Sequence, residues 1–260
     1  MRILKKDSYL FSIVYHLEIK LDVKTKVITL FARDKGEADK LVTFFSCDLG
    51  MLQATVKGAR KHGAKLSACT FSFALSDVVL AEKGGFYTVT ACDLIEPFFE
   101  ISEDIDCFEY ASASLELTNN MLRGNIDTQP VFILLLQTLK NFCYKHGDNK
   151  IVFLKYLFDI IGMSGYKLNL HLAEKLILEK GYTYINLENG QFITSYSDYM
   201  VVHKVGSEGL VFLENLANTQ ASSIEELSKN FQDNKIVDVV FSWARVLGEN
   251  IMGVKFRSFF

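Results

Sequence analysis

The sequence predicts an α+β chain: a small five-stranded barrel near the N-terminus, then an α-helical domain carrying a small inserted hairpin. Three observations predict it. Five β-rich runs crowd into residues 26–96. The apolar period turns from strand-like to helical after Pro97. An Asn-Gly turn, Asn189-Gly190, stands between β-rich arms within the otherwise helical second part. The expected divisions are an N-terminal extension (1–22), a barrel domain (23–100) and a helical domain (101–260), with the hairpin insertion at 167–208.

The strands follow in order. "KVITLFARD" is β-branched and aromatic with partial alternation, and "KLVTFFS" is similar, with "CDLG" supplying a turn after it. "MLQATVKGA" is a third strand running into a loop. "FALSDVVLAEKGGFYTVTACDLIE" is two strands around Lys83-Gly84-Gly85. Five short strands so close together favour closure, because a closed barrel leaves no exposed edge.

Helices follow. From Ser102 or Glu103, an apolar stripe of Ile105, Phe108, Ala111, Leu115 and Leu122 is expected. "TQPVFILLLQTLKNFCYK" opens with Asp127 or Thr128 as cap and Pro130 in the first turn. "KIVFLKYLFDIIGMSG" is apolar nearly all round and belongs at the centre of a bundle, with Lys155 and Asp159 spaced to pair. Helices resume at "GLVFLENLAN". Ser223 and Glu226 have capping-box spacing, and "NKIVDVVFSWARVLGEN" is the final helix.

The composition excludes several classes. With 49% apolar and 23% charged residues and two prolines, the 260-residue chain is globular rather than disordered. The five cysteines are odd in number and lack C-x-x-C spacing, so reduced thiols are expected. Asp7 precedes the first apolar stretch and no A-x-A site follows it, which argues against a signal peptide. The longest uncharged apolar run, Pro130–Leu139, is too short for a membrane span. A cytoplasmic protein without membrane contact is expected.

No catalytic constellation is found: no P-loop, no dinucleotide fingerprint, no H-E-x-x-H and no G-x-S-x-G. The five histidines are scattered. No catalytic residue, cofactor or metal ligand is assigned. Charge is more informative. The chain carries a net charge of -3, yet "VKGARKHGAK" holds Lys57, Arg60, Lys61 and Lys65 with no acid. Between Gly84 and Leu122 there is no Lys or Arg but eight acids: Asp93, Glu96, Glu100, Glu103, Asp104, Asp106, Glu109 and Glu116. The plain reading of that block is a solvated helix face. The basic loop reads either as a solvated hairpin tip or as a phosphate-binding element, with Arg33, Lys35 and Lys40 expected on the same side.

The stretch "GEADKLVTFFSCDLGMLQATVKGARK" resembles the N-terminal barrel of the RecO family of bacterial recombination mediators. The matching positions are Gly36, Glu37, Asp39, Leu41, Val42, Phe45, Gly50, Val56, Lys57, Gly58, Ala59 and Arg60, with Ser46 where threonine is usual. The likeness continues through "FSFALSDVVLAEKGGFYTVTACDLIEPF", "FLKYLFDIIGMSGY" and the tail "LGENIMGVKFRSFF". The resemblance implies an OB-fold that binds single- and double-stranded DNA and anneals strands. It also implies work with RecR to load RecA on coated DNA, a helical domain that receives the single-strand DNA-binding protein (SSB) C-terminal tail, and a nucleoid-associated location. An RNA-binding OB-fold and a non-enzymatic helical adaptor are the alternatives. The family commonly has a four-cysteine zinc site after the "G-Y" that here is Gly165-Tyr166. This chain has no cysteine beyond Cys143, so the hairpin is expected to hold without metal on Tyr182, Tyr184, Ile185, Phe192 and Ile193.

Overall fold

The computed structural model describes residues 22–122, 127–232 and 234–259. The expected N-terminal extension lies almost wholly outside them. Five strands, β1 (Asp22–Lys35), β2 (Asp39–Ser46), β3 (Gly50–Val56), β4 (Leu75–Lys83) and β5 (Phe86–Glu96), close into a barrel of order β1-β2-β3-β5-β4. All pairs are antiparallel except β3 with β5, which closes the barrel over Ala54↔Tyr87 and Thr55↔Thr88. The interior is small and mostly aliphatic, built on Val27, Val42, Ala54, Val78 and Leu80 around the ring of Phe44. The β3–β4 loop plugs one end with Ala59 and Cys69, and Thr29 Oγ1 donates to the Cys69 carbonyl at 2.9 Å.

The outer side of β1 is partly buried as well. Ile28, Leu30 and Phe45 leave the barrel to join the helical core, where Phe45 meets Phe132 at 5.6 Å. The outer face of the barrel thus packs into the helical core near residue 100, while the barrel interior stays a separate cluster. Phe73 and Phe98, in that core, are left-handed at φ 73° and 51°. Burying a phenylalanine contributes about 1.5–3 kcal/mol, enough to offset the ~1–2 kcal/mol cost of that backbone.

The helices are α1 (Ile105–Met121), α2 (Thr128–Cys143), α3 (Asn149–Ile161), α4 (Leu170–Lys180), α5 (Ser207–Asn218), α6 (Ile224–Phe231) and α7 (Lys235–Met252). Asp104, Asp127, Asp148, Asn169 and Asn234 cap their helices by accepting backbone N–H bonds. α3 is central, with Phe153, Leu154, Tyr156 and Leu157 fully buried against α1, α2 and α7. The Lys155–Asp159 pair forms at 2.8 Å.

Three expectations need correction. Ile105 is 75% exposed and Phe108 is also exposed, and the buried stripe of α1 is Cys107, Tyr110, Ala111, Ser114, Leu115 and Thr118. The small residues Ala111 and Ser114 are what allow close approach to α3. The Ser223–Glu226 capping box does not form: a 3₁₀ turn (Ala221–Ser223) leads into α6 and leaves Ser223 at φ -115°, ψ 18°, with no side-chain cap bond. The insertion begins with a helix, α4, packed through Ala173, Leu176 and Ile177. After it comes a three-stranded sheet of order β7-β6-β8, from β6 (Thr183–Asn186), β7 (Phe192–Ile193) and β8 (Val202–Val205), rather than a lone hairpin.

Candidate nucleic-acid interface

β1 and β2 are joined by the turn at residues 36–38, and the basic loop leaves β3 beside that turn. Arg60 N donates to the Ala38 carbonyl at 2.9 Å, and Gly58 N donates to Asp39 Oδ1 at 2.8 Å. Gly58, at φ 67°, supplies the backbone bend that brings this about. The Arg60 guanidinium braces the turn, with Nη1 3.1 Å from the Gly36 carbonyl and Nη2 3.3 Å from Asp34 Oδ2. The loop is thus free of acids in sequence but not in space: Asp34 and Asp39 shape it. Lys57, Lys61 and Lys65 are exposed, and among the described residues none has a carboxylate at ion-pair distance. Three lysines then stand in solvent on a hydrogen-bonded loop, a disposition that can neutralise phosphates.

The three cations expected on the same side as the loop lie on β1 and β2. Strand register separates them. Arg33 pairs with Leu41 and Lys35 with Asp39, so Arg33 and Lys35 share the outer face, where Lys35 Nζ donates to Thr55 Oγ1 at 2.8 Å. Lys40 pairs with Asp34 and with Val56, an interior residue, so it belongs to the opposite face. The structure brings Arg33 and Lys35 together and sets Lys40 apart from them.

A bulge in β1 creates this outer face. Thr29 pairs with Phe44 and Phe31 with Thr43, leaving Leu30 without a partner. Leu30 and Phe31 are therefore both turned outward, and the phase of the strand is inverted after them. Without the extra residue, Phe31, Arg33 and Lys35 would point into the barrel. Phe31 stays 41% exposed on the resulting face. On the far side of the same face, Phe86 precedes Tyr87, the partner of Ala54, and so falls beside Gln53; it is 78% exposed. Two open aromatic faces thus flank the outer sides of β2 and β3, where bases can stack. The sequence analysis assigned neither; Phe86, directly after the Gly84-Gly85 turn, carried a local signal, whereas Phe31 is turned outward only by the bulge.

The small sheet does not suit zinc. Among the described residues, no three His, Cys, Asp or Glu side chains converge. His171 is exposed and pairs with Glu174, and His203 stacks on Trp243 at 6.1 Å. Apolar and aromatic contacts occupy the sheet instead. Ile185, Leu187, Phe192 and Val205 are buried, and Lys204 Nζ lies 4.0 Å from the centre of the Tyr182 ring. No helix among the described residues is long and apolar enough to cross a membrane.

Known proteins resemble this chain in sequence. The model of the recombination protein O N-terminal region matches residues 20–98, and that of its C-terminal region matches residues 102–172. A DNA repair protein RecO of Acetivibrio thermocellus is 33% identical over 117 residues, 45% of this chain and 47% of the relative. One from Thermoanaerobacter sp. is 29% identical over 144 residues, 55% and 58%. One from Dehalococcoides mccartyi is 31% identical over 147 residues, 56% and 57%. The chain spans about half the length of the curated relatives it matches. The two family models adjoin at the strand-to-helix seam and together take in more than half of the sequence, and on that match the chain belongs to the RecO family.

Proposed function

We propose that this protein is a non-enzymatic mediator of DNA repair. It binds single- and double-stranded DNA through its barrel, anneals complementary strands and, with RecR, helps to load RecA on DNA coated by SSB. It acts in the cytoplasm, associated with the nucleoid. The observation that carries this reading is the loop of Lys57, Lys61 and Lys65, held beside an outward face bearing Arg33, Lys35, Phe31 and Phe86. Cations with aromatic platforms suit a strand bound without regard to sequence. The relatives named DNA repair protein RecO support the biological setting. The helical domain contains a cavity of about 460 Å³ lined by Phe158, Met163, Leu168, Leu213, Lys167 and Asp159; Asp159 is paired with Lys155, and the apolar walls with Lys167 suit the acidic, apolar SSB tail.

Titration of labelled DNA and RNA oligonucleotides at several salt concentrations tests the reading. DNA is expected to bind at least as well as RNA. Replacing Lys57 and Lys61 with alanine should make the log-affinity against log-salt slope shallower by about 1.4 for single strands. Annealing should fall in parallel, while affinity for an SSB-tail peptide stays unchanged. Arg60 is a poorer choice because it braces the turn. An unchanged slope in the double variant would remove the loop from the interface, and preference for RNA would overturn the DNA assignment.

A further inference from the structure

The barrel tip is not where the cationic surface ends. A cleft of about 390 Å³ opens where the barrel meets the helical body, lined by Phe31, Glu116, Asn119, Asn120, Lys255 and Arg257. Its far wall is the C-terminal segment that follows α7. That segment is pinned at several points. Phe256 N donates to Glu249 Oε1 at 3.3 Å, Arg257 N donates to Glu116 Oε2 at 2.8 Å, and Ser258 Oγ donates to Glu116 Oε1 at 2.8 Å. Phe256 and Phe259 enter an aromatic cluster with Phe153, at 5.8 and 5.3 Å between ring centres.

With Phe256 buried, its neighbours Lys255 and Arg257 are both exposed. The one carboxylate in the cleft, Glu116, already has both oxygens bonded to the tail, so two cations face one committed acid. The opposite wall is the ring of Phe31, which the β1 bulge turns outward. Phe31, Arg33 and Lys35 follow at period two along one face, about 6.6 Å per step. The cleft is therefore continuous with the surface that leads to the basic loop.

We propose that a single DNA strand bound at the barrel tip continues along the outer face of β1 into this cleft. One base stacks on Phe31, and the adjoining phosphates meet Lys255 and Arg257. The inference rests on the DNA-binding reading above and adds a second-domain contribution to it: the helical body's own C-terminal tail becomes part of the strand path. The Asn119 and Asn120 amides, at the end of α1, border the place where the base edge would lie.

The test uses the full chain and fluorescent oligo-dT of graded length, with wild type, Phe31→Ala, Phe31→Tyr, the pair Lys255→Ala and Arg257→Ala, and the Lys57/Lys61 double variant. Phe31→Ala should weaken binding of long oligonucleotides about 5- to 100-fold, the range for one lost base stack, with no change in salt slope. Phe31→Tyr keeps the aromatic face and should restore affinity, which separates stacking from damage to the seam. The tail pair should make the salt slope shallower by about 1.4. The shortest oligonucleotides, which the tip alone can hold, should not respond to the tail pair. If the Lys57/Lys61 variant loses affinity while the tail pair binds all lengths as wild type does, the strand does not enter the cleft and only this inference falls. If the wild type itself fails to bind DNA, the functional reading falls and takes the inference with it.

Discussion

The acids between Gly84 and Leu122, on β5 and the helical body, and the lysines of the barrel tip are both charge blocks in the sequence, yet the fold uses them in different ways. Five of the acids are committed to structure. Glu96 accepts from the Tyr144 hydroxyl, Glu100 from the Cys143 thiol and Asp106 from Asn149 Nδ2; Asp104 caps α1 and Glu116 pins the C-terminal tail. None of the eight acids is buried, so the block is solvated as expected, and five of its members also hold parts of the fold together. At the barrel tip the acids Asp34 and Asp39 are likewise committed, but Lys57, Lys61 and Lys65 are left in solvent. A charge that closes a loop or caps a helix is part of the fold. A charge held out on an already closed loop stabilises nothing and remains available to a ligand.

The largest break in this comparison is made in the body's core. Phe153 is fully buried and lies within 6.0 Å of Tyr110, Phe241, Phe256 and Phe259, ring centre to ring centre. Phe153→Ala should cost about 3–5 kcal/mol in urea unfolding, because the rings around the cavity cannot all collapse into it. The folded fraction should still bind DNA at the tip with the wild-type salt slope. A variant of wild-type stability would show that this cluster does not hold the body together.

A smaller effect sharpens the contrast directly. Glu116→Ala removes the acceptor of two tail bonds and should cost about 1 kcal/mol, given that the site is only half-buried. Trypsin should then cut sooner after Lys255 and Arg257. The Lys57/Lys61 variant should unfold at the wild-type urea midpoint, since exposed lysines contribute little to stability. If the two variants behaved alike, the distinction between committed and available charge would be lost.

How far the sequence disclosed this follows from range. The five strands were legible because period-two patterning and the Gly84-Gly85 turn are local signals, α2 because its cap and Pro130 are local too, and α3 and α7 because each is one long apolar-rich run. The β1 bulge was not legible. It is a change of phase by one residue, and only the register with β2 reveals it. The separation of Lys40 from Arg33 has the same cause. The tail's attachment to Glu116 joins residues 141 apart in the chain, beyond any spacing rule. The helix α4 was within reach, since Ala173, Leu176 and Ile177 stand at helical spacing, but attention to the Asn-Gly turn hid it. That turn is wider than a two-residue hairpin: Asn186 N donates to the Gln191 carbonyl, with four residues between them.

The smallest expected effect concerns a group of the body that burial alone has altered. His203, on β8, stacks on Trp243 with the planes 25° apart, and burial lowers its pKa below the usual imidazole value. In the unfolded chain it protonates at its ordinary pKa, so between that value and the lower folded one the unfolded state binds more protons. Stability from this group is therefore fully present above the unfolded pKa and is lost as pH falls through the folded one. The urea midpoint should drop between pH 7.5 and 5.5 (set around the ordinary imidazole range of about 6.5). His203→Phe keeps an aromatic ring on Trp243 but cannot titrate, and its midpoint should drop less over the same interval. Equal drops in the two proteins would mean that His203 is hydrated in the native state and that β8 is less tightly packed on α7 than its ring stacking indicates.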